Sequence, residues 1–235
     1  TVKANLPPHV ALLGFAGAPW TLLAYGLEGK GSKTWSRAKA FLHAEPAKAQ
    51  AWLEKLADAA ARLLNLHIGA GAQGVQLFDT WAGELDPEDY ATFSLPAVRR
   101  TLAQVSGAPR LFFARTGYLP QALEALPCEG LAVPWQVPIA EARARFPRMV
   151  LQGNLDPISL LAGKEIATAK ARRILEAMKG HPHIFNLGHG LTPETDPEVL
   201  GAVIATGLVL GCGQRGASPP EGRTDTVHRG SGDKR

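Results

Sequence analysis

Cysteine is scarce in this chain. Cys128 and Cys212 are the only two among 235 residues, too few for a disulfide framework or for most zinc sites. Both thiols are expected to be reduced, as in a cytoplasmic protein. Long apolar runs are missing too: the longest, around residues 200–210, is broken by glycine and falls short of the ~20 residues a membrane helix needs. No basic-then-apolar leader opens the sequence, so a secretion signal is not expected. Neither sign of charge dominates, with Lys and Arg at 25, Asp and Glu at 21 and a formal net charge of +4. Part of that small excess sits in the last stretch, where Arg215, Arg223, Arg229, Lys234 and Arg235 face only Glu221, Asp225 and Asp233. The remaining body is too nearly neutral to suggest a nucleic-acid partner. The seven histidines never form His-x-x-x-His, and no metal site is expected.

Several familiar motifs are absent or only imitated. Residues 26–34 look like a phosphate loop, but Ser32 precedes Lys33 where the motif wants glycine, and the stretch follows a helical pattern instead of a strand. Gly14-x-x-Gly17 lacks the third glycine of a dinucleotide fingerprint. No Gly-x-Ser-x-Gly elbow occurs.

What is present alternates. Short apolar runs at 10–15, 74–78, 110–114, 130–133, 149–152 and 183–186 suit parallel strands buried on both faces. Between them lie helical segments. One begins near Pro46 and places Trp52, Leu53, Leu56, Ala60, Leu63 and Leu64 on one face, with Lys55, Asp58 and Arg62 on the other. Asp86-Pro87-Glu88-Asp89 is a helix opening with acids at the positive end of the dipole. Residues 164–179 form a third amphipathic helix ended by Gly180. This is an α/β sequence. Six strands leave two architectures open, a doubly wound sheet or a (β/α)8 barrel with about six strands of the eight. The body is assigned to residues 1–206. Residues 207–235, rich in glycine and arginine and poor in large apolar side chains, are expected to be disordered.

Chemistry in such folds gathers at the carboxyl ends of strands. There the sequence places Gly14-Phe15-Ala16-Gly17-Ala18-Pro19-Trp20-Thr21 leading to Tyr25, then Phe78-Asp79-Thr80-Trp81-Ala82-Gly83. Ala114-Arg115-Thr116-Gly117 and Val133-Pro134-Trp135 follow, then Gln152-Gly153-Asn154-Leu155-Asp156-Pro157 and Asn186-Leu187-Gly188-His189-Gly190. Small residues at these ends let backbone approach a ligand, and the polar groups suit an anionic or hydrogen-bond-rich one. His189, between two glycines, is the best single candidate and is free to titrate near neutral pH. Strand alternation sets Gln76, Phe78 and Thr80 on one face and Val75, Leu77 and Asp79 on the other. Thr80 and Asp79 therefore cannot both point into one site unless the strand has already ended.

Taken together and in order, four of these phrases resemble the signatures of the uroporphyrinogen decarboxylase family: the first (extended through Tyr25 and Glu28-Gly29), the second, Leu151 to Pro157 and Asn186 to Gly190. The resemblance implies a (β/α)8 barrel acting as a homodimer without metal or cofactor. It also implies a tetrapyrrole substrate, uroporphyrinogen, which loses carbon dioxide from four acetate arms to give coproporphyrinogen. By motif, Tyr25, Thr80 and His189 fall on substrate-binding positions, with Tyr25 and Thr80 donating to carboxylates and all three meeting at one concave mouth. The family's catalytic Asp and its Arg-Gln-Ala-Gly-Arg loop have no counterpart in this sequence, so no catalytic residue is assigned within it. Val133-Pro134-Trp135 stands where members read Leu-Asp-Trp. The chain is expected to lack the family's amino-terminal portion and to decarboxylate poorly alone. Two other readings accompany this one: an inactive fragment of that enzyme, or a related cobamide-dependent methyltransferase, whose zinc-binding His-x-Cys is not found before Cys128 or Cys212.

Overall fold

A computed structural model describes residues 2–212 of the chain. Among the described residues there are six strands: β1 Leu13–Gly17, β2 Gly74–Asp79, β3 Arg110–Ala114, β4 Gly130–Ala132, β5 Val150–Gln152 and β6 His183–Ile184. All pairings are parallel, and order in the sheet follows order in the chain, with β1 and β6 as its edges. The expected strands are therefore all found, although β1 lies three residues later than its apolar run suggested.

The intervening helices are α1 Pro19–Glu28, α2 Ser36–Ala44, α3 Pro46–Gly69, α4 Pro87–Asp89, α5 Leu95–Ala103, α6 Ile139–Arg145, α7 Lys164–Ala177 and α8 Pro197–Cys212. Pro46 occupies the first turn of α3, where its missing N–H costs nothing. Asp86 caps α4 by accepting from the backbone N–H groups of Glu88 and Asp89, both at 2.9 Å. The helix then widens into a π turn over Tyr90–Ser94 before continuing as α5. Pro96 has no N–H to offer the carbonyl four residues earlier, a local reason for that widening. Gly29 ends α1 in the left-handed region at φ 73°. The Glu28 carboxylate then accepts from Arg37 N at 2.9 Å, at the start of α2. The loop that imitates a phosphate site is thus closed on itself: Ser32 Oγ takes the N–H of Trp35 at 3.0 Å.

One sheet face carries the core. Val75, Leu77, Phe112, Leu131 and Leu151 are buried there beneath the helices, each burial contributing about 1.5–3 kcal/mol. α7 and α8 pack on each other around a second small cluster with Leu155 and Leu160. The opposite face is concave, since side chains from β2, β3, β4 and β5 and from the segment after β6 line one cavity. The architecture is an incomplete (β/α)8 barrel. Where the sheet stops at β1, Leu13 and Phe15 are 46% and 64% exposed. The boundary expected at residue 206 falls inside α8, which continues through Cys212; the rest of the expected disordered tail, residues 213–235, lies outside the described residues. Among the described residues no helix is long and apolar enough to cross a membrane.

Candidate active site

The concave face is built in registered rows. Gly17, Phe78, Phe113, Ala132, Gln152 and Ile184 stand opposite one another across all six strands. One step toward the strands' amino ends, Phe15, Gln76, Leu111, Gly130 and Val150 form the next row. Both rows point away from the helices because strand side chains alternate. Above them is a cavity of about 490 Å³ lined by Gln76, Phe78, Thr80, Phe113, Gln152 and His189, among others. Phe78 and Phe113 give it an aromatic wall, with ring centroids 5.7 Å apart.

Thr80 and His189 thus meet in one cavity, as the sequence suggested. Thr80 is half-buried just past the end of β2, and its hydroxyl has no partner among the described residues. The loop after β6 delivers His189. A side chain at Gly188 would collide with the Trp135 backbone, and Gly188 N donates to Leu155 O at 2.8 Å. Glycine is needed there for loop packing, and Gly188 also lines the cavity. The His189 ring lies between Phe113 and Trp135, with centroids at 6.2 and 5.8 Å. Burial, and secondarily the charge of Arg115, hold its pKa below the ordinary 6.5. It is a neutral imidazole at pH 7, able to donate from one nitrogen and accept at the other.

Tyr25 does not line this cavity. It sits in the last turn of α1, 42% exposed, with its ring packed edge-on against Trp35 at 5.3 Å and Trp81 at 6.0 Å. Trp81 directly follows Thr80, so Tyr25 flanks the mouth through that indole. Arg115, on the loop after β3, lies over the same ring, its guanidinium carbon 4.5 Å from the Trp81 centroid. It forms no ion pair with a carboxylate among the described residues. Sequence reading passed over Arg115. A lone cation between a strand end and a glycine loop was the available signal.

Asp79 faces the other way, as alternation required. It is fully buried and accepts from Thr21 Oγ1 at 2.8 Å and Ser94 Oγ at 2.6 Å. Burial pushes its carboxyl up to about 6, against the opposing pull of those two hydroxyls. Thr21 Oγ1 also takes the N–H of Trp81 at 3.3 Å, and Trp20 Nε1 donates to Trp81 O at 2.9 Å. Asp79 therefore ties α1, the turn before α5 and the end of β2 together behind the site, and it fixes the loop that presents Thr80.

A larger cavity of about 760 Å³ lies between Tyr118, Gln136, Glu141 and Arg145, but neither Thr80 nor His189 reaches it. Among the described residues no three His, Cys, Asp or Glu side chains could hold a metal ion. Cys128 is free, and burial pushes its thiol up to about 12, away from thiolate chemistry. The Cys212 side chain lies outside what is described.

The family model described as uroporphyrinogen decarboxylase matches residues 1–207. A curated uroporphyrinogen decarboxylase from Methylococcus capsulatus is 43% identical over 213 residues, covering 86% of this chain and 60% of that protein. One from Streptomyces coelicolor is 45% identical, covering 80% of this chain and 55% of that protein. Among solved structures, a methyltransferase from Methanosarcina mazei superposes with a TM-score of 0.76 at 20% identity, covering 87% of this chain and 60% of that one. At that identity the likeness is one of fold. The chain spans about 60% of the length of the Methylococcus relative it matches.

Proposed function

Because this chain belongs to the uroporphyrinogen decarboxylase family, we propose that its concave face is the part of a decarboxylase site that holds uroporphyrinogen during conversion of acetate arms to methyl groups. The observation that carries the reading is the meeting of Thr80 and His189 in one aromatic-walled cavity at the strand ends. Phe78 and Phe113 offer flat apolar surface to the macrocycle. Around that surface stand groups suited to its carboxylates. Thr80 donates a hydroxyl hydrogen. Arg115, unpaired with any described acid and steadied on Trp81, supplies the cation that a bidentate carboxylate contact needs. Tyr25 lies farther out and reaches only an arm that extends past Trp81.

In the reaction, protonation of a pyrrole carbon makes the ring an electron sink. The bond to the acetate carboxyl then breaks, carbon dioxide leaves and its electron pair enters the ring. A proton added at the freed carbon makes the methyl group while the protonated ring carbon gives up its proton, so one proton is consumed for each carbon dioxide released. His189, neutral at pH 7 and against the cavity wall, is placed to hold an arm or to pass a proton. The carboxylate that steadies the cationic ring is not supplied by Asp79, which lies behind the sheet. In this reading it comes from sequence that the longer relatives have and this chain does not. A homodimer and a cytoplasmic setting belong to the same reading.

The test is anaerobic conversion of uroporphyrinogen to coproporphyrinogen. It compares the chain with a version extended at its amino terminus by the corresponding segment of the Methylococcus relative. The extended version is expected to form product, and Thr80→Val or His189→Asn within it to lose about a hundredfold in rate while remaining folded. An extended, folded protein that makes no coproporphyrinogen overturns the proposal.

A further inference from the structure

At one position this chain carries tryptophan where the backbone favours glycine. Trp35, just before α2, has φ 51° and is the one residue other than glycine with a positive φ among the described residues. Bulky side chains rarely adopt that conformation. The same loop has glycine at 29 and 31, but not here. Ser32 Oγ accepts the Trp35 N–H at 3.0 Å and so holds the turn. The side chain is fully buried, yet its indole N–H finds no acceptor. The position therefore uses the flat ring and not its hydrogen bond.

What the ring touches lies at the mouth of the site. Its centroid is 4.6 Å from that of Trp81 and 5.3 Å from that of Tyr25. Trp81 directly follows Thr80. Its backbone is pinned to α1 by Thr21 Oγ1 and Trp20 Nε1, but no hydrogen bond fixes its indole, whose own Nε1 is buried without a partner. Packing against Trp35 and Tyr25 is what sets the plane of that ring. The indole in turn carries the Arg115 guanidinium, 4.5 Å from its centroid, a contact that requires the cation to sit over the ring face. Arg115 forms no ion pair among the described residues, so no opposite charge competes with the indole for its long side chain. From there its charge is felt by His189.

We propose that Trp35 is a positioning residue: packed against Trp81, it sets the plane of that indole and through it holds Arg115 at the mouth for a substrate carboxylate. That the carboxylate belongs to a tetrapyrrole rests on the reading of this face given above; that Trp35 holds Arg115 does not.

The experiment uses the chain as it stands with Trp35→Leu, Trp35→Met and Trp35→Phe, each alone and combined with Arg115→Met. Urea unfolding reports whether each is folded, and NMR follows the His189 ring signals against pH. Anaerobic calorimetric titration measures binding of uroporphyrinogen. Arg115→Met alone, expected to move the His189 midpoint toward 6.5, sets the scale. Trp35→Leu and Trp35→Met should produce half of that movement or more, because the guanidinium is released into solvent. Trp35→Phe keeps a flat ring and should leave the midpoint close to that of the parent. On the Arg115→Met background none of the three should move it further, since both positions then act through one group. Uroporphyrinogen binding should weaken about tenfold in Trp35→Leu and stay within about twofold of the parent in Trp35→Phe.

A midpoint unmoved by Trp35→Leu and Trp35→Met, or moved equally on the Arg115→Met background, makes Trp35 a core residue and overturns the proposal. So does failure of both variants to fold, a Trp35→Phe protein that behaves like Trp35→Leu, or full affinity for uroporphyrinogen despite a moved midpoint. A parent chain that binds no uroporphyrinogen defeats the reading of the face instead, and the titration cycle still decides whether Trp35 holds Arg115.

Discussion

Replacing Asp79 by asparagine separates a buried structural acid from a catalytic one, and the structure fixes the sign of the result. The Asp79 carboxyl is enclosed behind β2, and burial raises its pKa from 3.8 to about 6. Between those values the folded protein binds more protons than the unfolded chain. Stability therefore falls as pH rises through the window, and the penalty is complete above pH ~6. At about 1.4 kcal/mol for each pH unit of displacement, the ionised carboxylate costs the folded state about 3 kcal/mol near neutrality, despite the hydroxyls of Thr21 and Ser94. Asparagine keeps the shape and an acceptor oxygen but never ionises. Asp79→Asn is expected to gain up to about 3 kcal/mol near pH 7.5, or about 6–12 °C in Tm for a chain of this size. The gain should shrink on acidification and vanish near pH 4. Thermal or urea unfolding of both proteins across that range measures it, and taking the difference at each pH cancels every other titrating group. A variant less stable than the parent at all pH values, or a gap that widens toward acid, would refute the reasoning. Either result would mean that the two hydroxyl hydrogen bonds outweigh the burial of charge.

Two further perturbations probe the site and its surroundings. Arg115→Met removes one of the two causes that depress His189, so the imidazole should titrate closer to 6.5; the ring proton shifts of His189 followed by NMR against pH check this, and an unmoved midpoint denies the coupling. The same variant should bind uroporphyrinogen about tenfold or more weakly, and Arg115→Lys should keep only part of the affinity, since an ammonium cannot make the bidentate contact. Cys128, its thiol pushed up to about 12, should react with iodoacetamide near pH 8 far more slowly in the folded chain than in urea. Equal rates would place that thiol in solvent.

The parts of the fold most legible in the sequence are those where one physical rule acts alone. β2 and β3 are buried under the helices on one side and carry large side chains on the other, so a short and largely apolar run located them to within a residue. β1 was harder. Val10-Ala11-Leu12 extends its apolar run, yet pairing begins only at Leu13, and at this open edge apolarity does not report burial. The π turn at Tyr90–Ser94 depends on how Pro96 meets a helix already begun at Pro87, which periodicity does not encode. At the site, alternation correctly turned Asp79 away from Thr80, and the glycine-flanked His189 correctly pointed to the mouth. Tyr25 was placed with them by motif, but its helix turns it onto Trp35 and Trp81, a tertiary packing with no local signature. Trp35 gave no signal either. Its left-handed backbone and its packing against Trp81 become visible only in three dimensions.

The ordering of the sheet also governs how the chain assembles as it is made. Among the described residues, each strand from β2 to β6 pairs with the strand synthesised just before it and so finds its template already present. The joins are unequal. Leu13 must find Gly74 across α1, α2 and α3, whereas Leu111 finds Gly130 across a single short connection. Loop-closure entropy makes the first of these the costlier join. Once β1 and β2 have met, the remaining strands add in turn, and growth of the sheet keeps pace with growth of the polypeptide.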